Sequence, residues 1–143
     1  MKVSSKTADK LIMIIALGWV AVIVMTLFGR GFPAMYVSAV IIAAHFVLGL
    51  IHKGEIRRKL IWLPFLGWFI TFVIGIIGMQ YYAFKFGDSI PSFLIFGMHP
   101  SLFFELAFYW IAGIVTISYG LVKNRDVWLS EDDWDEFLKI ANS

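Results

Sequence analysis

The sequence predicts an all-α integral membrane protein: a four-helix bundle of up-down topology followed by a small amphipathic helix on a C-terminal tail. Three observations predict it. Four long apolar runs punctuate a chain that is 60% hydrophobic and only 15% charged, where a soluble domain carries about 25% charged residues. None of those runs contains an internal Lys, Arg or Asp. The basic residues gather in alternate connecting segments, as they do in a chain threaded back and forth through a bilayer.

The runs cover residues 11–29, 33–51, 60–84 and 100–122. Each is near the ~20 residues a helix needs to cross ~30 Å of hydrocarbon at 1.5 Å per residue. Four helices apolar all round would leave a soluble protein almost no polar chain to cover them. The strict alternation of a membrane β-barrel is absent. The first run spans 19 residues, longer than the 7–15 of a signal-peptide core, and Phe28-Gly29-Arg30 has no small-x-small cleavage pattern. It is expected to remain as a helix. Pro33 stands where the second helix begins, a position that needs no backbone donor. Trp62, near the start of the third run, suits a membrane–water interface.

Before the fourth run, the apolar stretch 92–96 (SFLIF) is broken by Gly97, Met98, His99 and Pro100. A single helix through both would be too long to span without strong tilt. An interfacial or re-entrant turn is expected there, with Pro100 opening the span. Irregular backbone at membrane depth survives only where protein or water covers it.

Ten of the twelve basic residues fall in three segments: Lys2, Lys6 and Lys10; Lys53, Arg57, Arg58 and Lys59; and Lys123, Arg125 and Lys139. Arg30 and Lys85 are the other two. With four spans the three basic segments share one face, which the positive-inside rule makes cytoplasmic. Both termini are thus expected in the cytoplasm of a cell bounded by this membrane, the inner membrane where there are two.

Residues 1–122 read as the membrane domain and 123–143 as a cytoplasmic tail. Ser130 is placed to cap a helix over Glu131–Ala141, with Asp133 in the capping-box position. Trp134, Phe137, Leu138 and Ala141 fall on one face at helical spacing, and Glu131, Asp132, Asp135 and Glu136 on the other. Five acidic residues against Lys139 disfavour lying on an anionic leaflet. The face of Trp134, Phe137 and Leu138 suits a protein partner, or the tail folds back so that its acids meet Arg57 and Arg58.

Small residues recur along two runs. Gly67, Thr71, Gly75 and Gly78 make a stripe on the third, and Tyr109, Gly113, Thr116 and Gly120 one on the fourth. Such stripes let backbones approach closely and drive helix association in lipid, within the chain or against a second protein. Glu105 is the only carboxylate inside a run, ~8 Å below the outer interface at 1.5 Å per residue. Intramembrane ionisable residues face a bundle interior and mark ligand or proton sites. At about its level the other runs offer Thr26, Ser38 and Gln80, with Ser101 one turn above and His99 near the entry. That cluster could hold a small ligand, a cation or a proton.

His45, Gly49 and His52 share a face of the second run. The run His45–His52 resembles the haem-bearing helix of succinate dehydrogenase cytochrome b subunits, which carry a His-x3-Gly-x2-His pattern. The resemblance covers eight of 143 residues and implies that His45 would bind a haem or a quinone. At its level the other runs present Leu17, Phe69 and Ala112, so the chain offers no second axial ligand.

Other chemistry is thinly represented. There is no cysteine, hence no disulfide, thiolate metal site or Cys nucleophile. No phosphate loop, His-Glu-x-x-His or Gly-x-Ser-x-Gly motif occurs. Three histidines at three depths make no metal site. A net charge of +2 is no nucleic-acid signature. The expectation is a non-enzymatic small accessory subunit of a larger membrane complex, a transporter first, with no cofactor or metal and with lipid and a larger membrane protein, or a second copy, as partners. The alternatives are a homodimeric carrier working through Glu105 and a redox anchor using His45.

Overall fold

The computed structural model describes residues 4–52, 54–87 and 89–142. The chain is helical apart from its connections, and four of the helices are long and apolar enough to cross a membrane. The first covers Ser5–Leu27. It begins six residues ahead of the apolar run because Ser4 caps it, its hydroxyl accepting from the Thr7 amide at 3.2 Å. Apolarity marks what lipid would cover, whereas the cap sets where the helix starts. Its C-terminus is a Schellman closure: Gly29 at φ 71° donates to the Thr26 carbonyl, and Arg30 to that of Met25.

The second helix is Gly31–Gly49, with Pro33 inside its first turn. A short antiparallel ribbon follows, pairing Ile51 with Ile56 and His52 with Glu55. The sequence offers little signal for it beyond Gly54, whose φ is 79°. The Arg57 amide then donates to the Leu50 carbonyl at 3.0 Å, tying the basic loop to the helix end.

The third long helix is Ile61–Phe86 and the fourth Pro100–Lys123. Each contains a seven-residue π-helical segment, Ile61–Gly67 and Glu105–Ile111. Pro64 lies in the first of these, where a wider turn relieves the clash of its ring with the preceding carbonyl. Pro100 opens the fourth helix, and the His99 side chain caps it.

Between these two helices the chain makes a tight turn. Ile95 and Met98 exchange both backbone hydrogen bonds at 3.0 Å, and Phe96 and Gly97 take φ of 50° and 77°. Positive φ at both central residues is the type I′ pattern, and it places no helix before Pro100. The Lys85 ammonium lies 5.6–5.9 Å from the ring centres of Tyr81, Tyr82, Phe86 and Phe93. These cation–π contacts hold the connecting segment to the third helix. After Lys123 come a single turn, Arg125–Trp128, and the tail helix Glu131–Ala141.

The four long helices do not share their neighbours equally. The third helix is central and touches the second and the fourth, while the first packs on the second and makes no substantial contact with the other two among the described residues. Ala39, Trp68, Phe72 and Ile76 form the core, with Tyr36, Phe46 and Tyr109 packed around them. Trp68 stacks on Phe46 and meets Phe72 at a tilt, with ring centres 5.0 Å apart in each case. These large rings fill the space between the second, third and fourth helices and leave the first outside. Apolar exposure costs such an outer helix nothing if lipid surrounds it.

Candidate functional site

The structure places the polar residues of the expected cluster on four different helices and links only one of them to a neighbour. The Thr26 and Ser38 hydroxyls each turn back to their own helix, donating to the Val22 and Ala34 carbonyls at 2.9 Å. Short hydroxyl side chains inside a helix find that acceptor before any partner across the bundle. His99 is committed as a helix cap, its Nδ1 accepting from the Ser101 amide at 3.2 Å. The cluster of Thr26, Ser38, Gln80, Glu105 and His99 is therefore not assembled by hydrogen bonds.

Gln80 does bind, but to a residue the sequence reading passed over. The Tyr36 hydroxyl donates to its Oε1 at 2.6 Å, joining the second and third helices. A tyrosine in an aromatic-rich run carries no sequence signal for this role beyond lying near the depth of Gln80. Gln80→Leu is expected to cost about 1–2 kcal/mol, because the half-buried phenol loses its acceptor. Tyr36→Phe combined with it should recover part of that loss. Additive losses in a double-mutant unfolding cycle would count against the bond.

Glu105 and Ser101 stand apart. Glu105 is half-buried at the start of the π-helical segment, and no hydrogen bond or ion pair reaches it from the described residues. One turn earlier the Ser101 hydroxyl is buried with no partner among the described residues. The two side chains lie on one side of the fourth helix.

The small-residue stripes are occupied within the chain. A Cβ on Gly75 would lie 3.2 Å from the Tyr109 amide nitrogen, one on Gly113 3.3 Å from the Trp68 ring, and one on Gly120 2.6 Å from the Pro64 nitrogen. Gly78 receives the Phe104 ring, and Gly67 faces Thr116. All five glycines thus seat the third helix on the fourth, which leaves them no room for a second protein. Thr71 turns its hydroxyl to the Trp68 carbonyl at 2.9 Å. Close approach satisfies the stripes at the shortest chain distance available, between helices joined by one connection.

The tail helix does fold back. The Ser130 hydroxyl accepts from the Asp133 amide at 3.2 Å, and Asp133 takes an ion pair from Arg57 at 3.2 Å with both side chains under one-fifth exposed. An apolar face of the same helix remains open: Trp134, Phe137 and Leu138 are exposed, with the Trp134 and Phe137 rings stacked at 5.5 Å.

His45 sits one turn from the end of the second helix. Its Nδ1 lies 2.9 Å from the Ile41 carbonyl, and Trp19 covers the ring from the first helix at 6.2 Å. The side chain of His52 lies outside what the structure describes. His45 and Arg57 line a cavity of about 540 Å³ between the second helix, the basic loop and the end of the fourth helix. Among the described residues no three His, Cys, Asp or Glu converge as a metal site would need.

No protein-family model, characterised protein or solved structure matches this chain. The fold defines a class: an all-helical protein with four helices long and apolar enough to cross a membrane.

Proposed function

We propose that the chain is a small, non-enzymatic subunit of a larger integral membrane complex, with a transporter as the expected host. In this reading it crosses the bilayer four times and keeps both ends in the cytoplasm, on the side of the basic segments.

The observation that carries the reading is Glu105, a half-buried residue five positions into the fourth helix whose carboxyl has no partner among the described residues. An ionisable group at that depth is expensive unless something pairs with it. A second chain that donates to Glu105 would remove that cost. The glycine stripes do not compete for this role, being filled from within. The contact therefore falls on the Glu105 side of the fourth helix, and the open face of Trp134, Phe137 and Leu138 extends it at the tail.

Native mass spectrometry after extraction in mild detergent tests this. The expected result is a larger membrane protein in fixed stoichiometry. Glu105→Leu should weaken recovery about ten-fold, as losing an interhelical polar contact of ~1–2 kcal/mol implies. Glu105→Gln, which keeps an acceptor, should retain most of it. Undiminished recovery with Glu105→Leu removes that residue from the interface. A lone homodimer overturns the subunit reading in favour of a dimeric carrier.

A further inference from the structure

The cavity beside His45 is built unlike the rest of the apolar exterior. Its walls are Ile42, Phe46, Leu121 and Trp128, and its polar groups are His45 and Arg57. The Trp128 indole nitrogen donates to the Leu121 carbonyl at 2.9 Å, so the ring is fixed as a wall and its donor is spent. A carbonyl can only accept, so His45 Nδ1 carries the proton in its bond to Ile41.

Arg57 is the cationic end of this cavity. One nitrogen donates to Asp133 at 3.2 Å, and the side chain is only 16% exposed. A guanidinium has about five N–H donors in a planar fork, and no other described residue takes the remainder. Arg58 and Lys59, both exposed, follow it in the loop. The result is a donor-rich cation at the mouth of an apolar slot, at the end of the molecule where the basic segments lie.

We propose that this cavity holds one anionic phospholipid, its phosphate on Arg57 and one acyl chain against Ile42, Phe46 and Leu121. Basic pockets between transmembrane helices favour such headgroups. The volume lies within the ~300–1,000 Å³ of small-ligand sites. A soluble anion would leave the apolar walls unfilled. A zwitterionic headgroup would bring its own cation against Arg58 and Lys59. The proposal rests on the bilayer placement above but not on any partner protein, and resistance to carbonate extraction tests that placement separately.

The test uses the full chain in phosphatidylcholine nanodiscs doped with brominated phosphatidylglycerol or brominated phosphatidylcholine. Quenching of Trp128 is read as the difference between the wild type and Trp128→Phe. Brominated phosphatidylglycerol should quench at about five-fold lower mole fraction than its zwitterionic counterpart. Arg57→Gln should abolish the preference, and Arg57→Lys should keep part of it. Asp133→Asn breaks the same ion pair but leaves the guanidinium, so the preference should persist or grow. Equal quenching by both lipids in the wild type overturns the proposal. So does a preference that survives Arg57→Gln, or one lost equally in Asp133→Asn, which would make the tail contact the cause. Relief of quenching by millimolar inorganic phosphate would show a soluble-anion site instead.

Discussion

Gly120→Ala is expected to destabilise the protein by about 2–3 kcal/mol, a large effect for one added methyl group. The new Cβ would stand 2.6 Å from the Pro64 nitrogen, 2.7 Å from its Cδ and 2.8 Å from its Cα. None of these atoms can swing aside, because proline's ring is fused to the backbone. The third and fourth helices would have to part at that end, giving up dispersion contacts along their length. Gly67→Ala is the control on the same pair of helices. Its Cβ would meet the Thr116 side chain at 3.5 Å, an ordinary contact, and alanine improves helix propensity by up to ~1 kcal/mol. That variant should be neutral or mildly stabilising. Equilibrium unfolding in mixed detergent micelles measures both, and equal losses would show that the distance to Pro64 does not decide the outcome.

Trp68→Ala should cost about 3–5 kcal/mol, the range for removing a buried aromatic ring. Trp68 is 7% exposed and touches three helices. It stacks on Phe46 of the second and packs at a tilt on Phe72 of its own helix, both at 5.0 Å, and it presses on Gly113 of the fourth. Surrounding lipid would supply no hydrophobic gain for burying it, so the loss is one of packing and ring contacts. The comparison is Trp62→Ala, at a ring 71% exposed, where less than ~0.5 kcal/mol is expected. If the two variants unfold alike in the same assay, the ring cluster is not what joins the second, third and fourth helices.

Gly75 shows how the structure redirects a sequence argument. On sequence, Gly75→Leu is a probe of a partner face, since a stripe of small residues serves any close helix. With a Cβ only 3.2 Å from the Tyr109 backbone, that substitution instead prises apart the chain's own helices. A drop in co-purification would then report misfolding. If the chain is a subunit as proposed, Glu105 and the open face of the tail helix are the positions where substitution would report on a partner without disturbing the core.

The four long helices were legible because each depends on a property of contiguous residues: length, apolarity and absence of charge. Pro100 and Ser130 were equally legible as helix starts, since a missing donor and a capping hydroxyl act within one turn. The fold-back of the tail was one of two options on charge, and the Arg57–Asp133 pair realises it. Nothing local announced Tyr36 as the partner of Gln80, because that bond joins residues 44 positions apart. The unassembled polar cluster was illegible for a related reason. Equal depth permits residues to meet, but rotation about each helix axis decides whether they do.

By itself, then, the sequence determined how many long apolar helices this protein makes, roughly which residues they cover and which end carries its positive charge. Tertiary structure alone decided that the first helix lies outside, that the glycines are consumed between the third and fourth helices, and that His45 and Arg57 share one cavity. The division has a physical cause. Capping, propensity and hydropathy act over a few residues, whereas the choice of neighbour depends on the fit of whole faces, and here the bulk of the Trp68, Phe46 and Phe72 rings made that choice.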